Sequence, residues 1–138
     1  MYTVCALNKE AWTKELSEKA HASSFGDLRP RELERIDFAL IVSDEKRPLG
    51  YVQCIEMDAE TIYWQLGGMF EYAKNSPRVV PVYLSLIRWT LERYKRITTR
   101  IQNINVRMLH LAMKMGFLIV GTYSFKGALY LELLLEGE

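Results

Sequence analysis

The sequence predicts a single α/β domain on a mixed, mostly antiparallel sheet flanked by helices, and three observations predict it. Short runs rich in β-branched and aromatic residues alternate with stretches whose apolar residues recur every three or four positions, so strands are interleaved with helices. Three of the strand-like runs follow one another with only polar turns between them, which is the pattern of an antiparallel meander. The 138 residues, 49% hydrophobic and 25% charged, suffice for one core, and no repeat, low-complexity run or Pro/Gly/Ser linker divides them. The domain is therefore expected to span residues 1–138.

Taken in order, a first strand over residues 2–7 ends at Asn8, a residue type suited to cap a helix. Trp12, Leu16 and Ala20 recur at helical spacing with Lys and Glu between them, which predicts an amphipathic helix to about His21. Ser23, Ser24, Gly26 and Pro30 then break the pattern. Residues 37–42 form an apolar run, Ser43 to Pro48 a polar turn, and residues 49–57 a second run, so a hairpin is expected. Asp58-Ala59-Glu60 turns the chain again into a strand over residues 61–70, where Gly67-Gly68 predicts a bulge or a close backbone approach.

A helix over residues 81–94 carries Tyr83, Leu86, Ile87, Leu91 and Tyr94 on one face, with Pro81 in its first turn. Val82, Leu84 and Trp89 widen that stripe, so the helix is expected to be covered on more than one side, and a homo-oligomer is one way to cover it. Residues 97–102 read as a strand. Asn105 is expected to cap the next helix, in which Met108, Leu111, Ala112 and Met115 form the apolar face and Gly116 ends it. Strands over residues 117–124 and 128–135 join through Lys126-Gly127. The order is β-α-β-β-β-α-β-α-β-β.

Eighteen basic against seventeen acidic side chains leave a net charge of +1, so no global field draws the chain to nucleic acid or to an anionic membrane. No apolar run is long enough to span a bilayer, and the first residues do not read as a signal peptide. Cys5 and Cys54 lie in separate apolar segments with no metal-binding spacing; both are expected to be small core residues in a reducing, cytoplasmic setting. No metal site is expected. His110, between core-facing Leu109 and Leu111, is expected to point outward or pack at a rim, and no nucleophile elbow, phosphate loop or dinucleotide fingerprint occurs. The aromatic set Tyr63, Trp64, Phe70 and Tyr72 reads as sheet core, with a substrate or partner surface as the other reading. Arg88, Arg93, Lys95, Arg96 and Arg100 read as a solvated basic face.

The segment Asn105-Val-Arg-Met-Leu-His-Leu-Ala-Met-Lys-Met-Gly-Phe117, followed by Val120-Gly121, resembles the helix-and-strand signature of the GCN5-related N-acetyltransferases (GNATs), in which an Asn stands twelve residues before the Phe of a Gly-Phe pair. The hairpin Ile41-Val-Ser-Asp-Glu-Lys-Arg-Pro-Leu-Gly-Tyr-Val52 is similar to that family's second and third strands. A weaker similarity is to the short GNAT-like proteins of tailed phages, some of which are virion components. The resemblance implies a V-shaped split in the sheet, between the strand ending near Phe70 and the strand starting near Ile97, that holds acetyl-CoA. It also implies that the loop after the fourth strand and the start of the next helix present backbone N–H groups to the pyrophosphate, as helix N-termini do for anions.

On that resemblance, the cofactor-binding residues are Met69, Phe70, Arg78, Val79, Val80 and Asn105, with a backbone N–H near Met69 or Phe70 polarising the thioester carbonyl. The chain departs from the family at the phosphate loop, where Asn75-Ser-Pro-Arg-Val-Val-Pro-Val82 has no Gly, so Arg78 either meets a phosphate through its side chain or is a surface charge. It departs again at Ala112, where many relatives carry the Tyr that reprotonates the leaving thiolate. Glu56 and Glu71 are the carboxylates nearest to where a base is needed, and Tyr123 or Tyr130 replaces the missing acid if the fold brings a hydroxyl to the cleft. The implied function is N-acetyl transfer from acetyl-CoA to an amine of a small molecule or a protein; the alternative is a non-catalytic GNAT-like binding or structural module that has lost the cofactor loop.

Overall fold

The computed structural model describes residues 2–13, 16, 19–20, 36–70, 73 and 76–137. Within them lie seven strands, β1 (Thr3–Asn8), β2 (Phe38–Ser43), β3 (Pro48–Glu56), β4 (Thr61–Met69), β5 (Arg96–Gln102), β6 (Leu118–Phe125) and β7 (Ala128–Glu136), and two helices, α1 (Val79–Leu91) and α2 (Val106–Lys114). The strands form one sheet in the order β1-β2-β3-β4-β5-β7-β6. Every neighbouring pair is antiparallel except β4 and β5, which run parallel because α1 carries the chain back between them. The predicted α/β class and the order of elements both stand. The helix expected after Asn8 falls mostly outside the described residues, of which Leu16, Lys19 and Ala20 are helical. Asn8, expected to cap it, closes only a turn, its side chain accepting the Ala11 N–H at 2.9 Å; residues 9–13 are not helical, and it is the Thr13 hydroxyl that accepts the Leu16 N–H at 3.2 Å.

The sheet separates two cores. On one face Leu40, Val52, Cys54, Ile62, Trp64, Ile97 and Leu133 meet Val82, Leu86 and Ile87 of α1 and Leu109 and Ala112 of α2. On the other face Trp12 and Ala20 pack against Ala39 and Tyr51. Each fully buried Leu or Ile in the larger cluster contributes roughly 1.5–3 kcal/mol, so this face anchors both helices. Cys54 is buried as expected, and burial raises its thiol pKa. Cys5 differs: it is exposed, because β1 is an edge strand whose side chains are mostly open to solvent.

Helix α1 begins at Val79, which puts Pro81 in the first turn, where its missing N–H costs no helical bond. Its stripe is covered at Val82, Leu86 and Ile87, while Leu84 is exposed. Trp89 tilts against Phe38 at a centroid separation of 5.8 Å and carries the Arg93 guanidinium 3.9 Å above its ring. The basic run is largely partnered as well, Lys95 and Arg96 both pairing with Glu60 at 3.5 Å.

Candidate functional site

Strands β4 and β5 pair over only four positions, from Thr61↔Arg96 to Trp64↔Thr99. Both then continue, β4 to Met69 alongside β3 and β5 to Gln102 alongside β7, without pairing with each other. The sheet therefore splits into a V. Its apex is pinned by the Thr99 hydroxyl, which donates to the Trp64 carbonyl at 2.9 Å. The cause of the split is local to β4. The β3–β4 register matches Cys54 with Trp64 but Gln53 with Leu66, so Gln65 is an inserted residue, and such a bulge bends and twists its strand. The expected bulge thus exists two residues before Gly67. Gly67 serves the close approach instead, since a Cβ there would stand 2.7 Å from the Tyr51 carbonyl oxygen.

A cavity of about 190 Å³ fills the V. Trp64, Gln65 and Gly67 of β4 and Thr99, Arg100, Ile101 and Gln102 of β5 form its two strand walls, and Tyr83 of α1 and Asn105, Met108, Ala112, Met115 and Phe117 close it on the helical side. The strands' facing edges are unpaired, and backbone N–H groups alternate in direction along a strand. Phe70 donates its N–H to the Leu49 carbonyl at 2.9 Å, toward β3. The N–H of Met69, one residue earlier, is thereby directed to the open side, and of the two amides expected to polarise a carbonyl Met69 is the one left for it. The Phe70 ring stacks on Tyr51 at 5.8 Å, in the opposite core.

The expected phosphate end is built differently from a main-chain anion cradle. Arg78 is the N-cap of α1, and the Arg78 N–H donates to the Ser76 hydroxyl at 3.2 Å while the Val79 N–H donates to the Ser76 carbonyl at 3.3 Å. Pro81 has no N–H, and Val82 donates to the Arg78 carbonyl. Among the described residues only Val80 keeps a free amide in this turn. The Arg78 guanidinium lies 2.7 Å from the Asp44 carboxylate in the β2–β3 turn. Asp44 also accepts the Lys46 and Arg47 amides at 2.8 Å; these bonds first, with the Arg78 charge beside them, hold its pKa below the ordinary value of 3.8.

Of the other residues singled out by the sequence, Asn105 is in the cavity wall and caps α2 as expected, accepting the Met108 N–H at 3.3 Å. Glu56 is at the closed end of the sheet, opposite Ile62, where it accepts the Tyr94 hydroxyl at 3.1 Å; the split does not reach it. Glu71 and Tyr72 lie outside the described residues, as does His21. Tyr123 does not line the cavity; its ring lies 3.8 Å from the Arg100 guanidinium, and Tyr130 lies beside it. Tyr83 was not singled out for chemistry, yet it is the phenol in the cavity wall, and burial pushes its pKa up to about 12. Trp64 Nε1 and Gln65 Oε1 are buried with no hydrogen-bond partner among the described residues.

Among the described residues no group of three or more His, Cys, Asp or Glu is placed to hold a metal ion, and no helix is long and apolar enough to cross a membrane. No protein-family model and no curated protein matches the chain. Solved structures match along nearly its whole length. Mutant forms of the spermidine/spermine N-acetyltransferase SpeG from Vibrio cholerae are 13% identical with a TM-score of 0.73, covering 99% of this chain and 95% of that one; a dodecameric structure of the Vibrio cholerae spermidine N-acetyltransferase is similar too. A GNAT family acetyltransferase from Elizabethkingia anophelis with acetyl-CoA bound is 15% identical with a TM-score of 0.65, covering 98% and 97%. The ribosomal-protein-S18-alanine N-acetyltransferase from Escherichia coli is 9% identical with a TM-score of 0.74, covering 99% and 94%. At these identities the likeness is one of fold.

Proposed function

We propose, from the premise that this chain has the GNAT fold, that it is an acyl-CoA-dependent N-acetyltransferase whose donor lies in the V between β4 and β5. The observation that carries this reading is that the two strands stop pairing at Trp64 and Thr99 although both run on. Two unpaired strand edges facing each other suit a linear chain bearing amides, which exchanges hydrogen bonds with both as an inserted strand does. The pantetheine arm of CoA is such a chain.

Bound there, acetyl-CoA supplies an activated acetyl group, and the residues of the chain do the rest. The Met69 N–H, fixed by β4 and aimed to the open side, donates to oxygen where negative charge develops. Tyr83, wholly protonated at neutral pH with its pKa at about 12, holds the proton for the leaving sulfur that Ala112 cannot hold. The acceptor amine, of a small molecule or a protein, approaches from the sheet face that carries Tyr63, Arg100 and Tyr123, with its proton passed to water. A homo-oligomer is part of this reading, on the analogy of the dodecameric neighbour.

One observation favours a second reading, a non-catalytic binding module: the first turn of α1 has consumed most of the amides that would meet a pyrophosphate. Calorimetric titration with acetyl-CoA separates the two. Saturable binding with slow hydrolysis or transfer to an amine panel is expected for the enzyme; no heat at millimolar acetyl-CoA overturns it.

A further inference from the structure

The sheet ends in two edge strands, β1 and β6. Along each, the outward backbone N–H and C=O groups meet no further strand among the described residues, and a bare edge of this kind is a template for another strand. The two edges are dressed differently. On β1 the exposed residues are Thr3, Cys5, Ala6 and Asn8, all small or polar. On β6 the strand opens with Leu118, Ile119 and Val120, which are 67%, 46% and 59% exposed. From Leu118 to Phe125 it holds no Lys, Arg, Asp, Glu or Pro, the residues by which natural edges repel a second strand. The register on β7 shifts between Ile119 and Gly121, so Val120 is a bulge and the regular run of the edge is residues 121–125. A second apolar patch stands at the far end of that run, where Phe125 and, across the hairpin, Leu129 are exposed.

We propose that β6 is the docking edge for a second copy of this chain, the two β6 strands pairing antiparallel about a two-fold axis so that one sheet runs through both copies. An axis within residues 121–125 sets Leu118, Ile119 and Val120 of each copy beside the β6–β7 turn of the other, where Phe125 and Leu129 lie. Each end of the edge thus meets the opposite end of its twin, apolar against apolar at both, which is the self-complementarity a two-fold interface requires. Like charges do not face each other along the paired strands, since β6 has none. This gives a surface to the homo-oligomer of the reading above and depends on neither the donor nor the V. Eight strand residues fall short of the roughly 20–30 that each side of a stable interface contributes, so the pair is expected to form in the micromolar range and not below it.

Sedimentation velocity across the micromolar range reads the pair directly, and the parent is expected to pass from monomer to dimer as concentration rises. Val120→Lys brings two like charges to the joint and is expected to weaken the dimer by at least about tenfold. Leu118→Lys repeats the test at the side chain most exposed of the three, where the fold has least to lose. Thr3→Lys puts the same charge on the β1 edge and is expected to leave the dimer intact. Amide exchange adds a readout on the parent alone. At a free edge alternate amides of residues 121–125 bond to β7 and the others exchange fast, whereas at a paired edge both sets are protected. A parent that stays monomeric, leaving the edge to a strand of some other chain, overturns the proposal. So does a dimer that survives both β6 variants, one that Thr3→Lys removes as well, or one that protects only the alternate amides. None of these outcomes bears on the acetyl-CoA titration, by which the donor reading stands or falls.

Discussion

Tyr83 and Gly67 show how single positions set the chemistry and the shape of the V. Tyr83 lines the cavity, and burial raises the pKa of its phenol. Tyr83→Phe removes the hydroxyl with little change of volume, so turnover is expected to fall by about a hundredfold while the acetyl-CoA affinity measured by calorimetry is unchanged; an unaffected turnover would remove Tyr83 from the mechanism. At Gly67 the constraint is steric. An added Cβ falls 2.7 Å from the Tyr51 carbonyl oxygen and 3.2 Å from Val52 Cβ, so one strand must move. Gly67→Ala is expected to destabilise the fold by about 1–3 kcal/mol in urea unfolding, the usual cost of overpacking.

At the scale of elements, the turn between β2 and β3 and the first turn of α1 act as one unit through Asp44 and Arg78, which are 34 positions apart in sequence. The Asp44 carboxylate has a lowered pKa in the fold, so its contribution is present above the ordinary value of 3.8 and is lost as pH falls through the lowered one. Asp44→Asn is therefore expected to be less stable than the parent at neutral pH, with the gap closing below about pH 4; a gap of constant size across that range would contradict it. The sequence made the elements legible because period and turn chemistry are local: the meander, the Asn105 cap and the Gly116 stop all stand where residue type put them. It also showed that the loop expected to meet phosphate, residues 75–82, lacks Gly. It could not show that Ser76 captures two amides of that loop, or that Arg78 is already paired, because those are facts of geometry between segments. Tyr83 was hidden for a related reason. Helical spacing places it on the apolar stripe, and only the position of α1 over the split decides that this stripe residue meets a gap instead of a strand.

For the molecule as a whole, the two ends of the V are unequally equipped for a donor. The arm end has two unpaired strand edges, whereas the phosphate end has, among the described residues, one free amide at Val80 and an arginine whose charge is offset by a carboxylate 2.7 Å away. Anion affinity at a helix N-terminus comes from free N–H groups and uncompensated positive charge, and α1 is short of both. On the proposed donor reading, recognition is thus weighted toward the arm. Acetyl-CoA is expected to bind no more than about tenfold more tightly than S-acetylpantetheine, a difference of about 1.4 kcal/mol, and with a shallow dependence on salt. Asp44→Asn releases the Arg78 guanidinium, so the same variant that loses stability is expected to gain affinity for acetyl-CoA and none for S-acetylpantetheine. A parent protein that prefers acetyl-CoA by several hundredfold, with a steep loss on raising salt, would show instead that the phosphates dominate and that Asp44 yields Arg78 to them when the donor arrives.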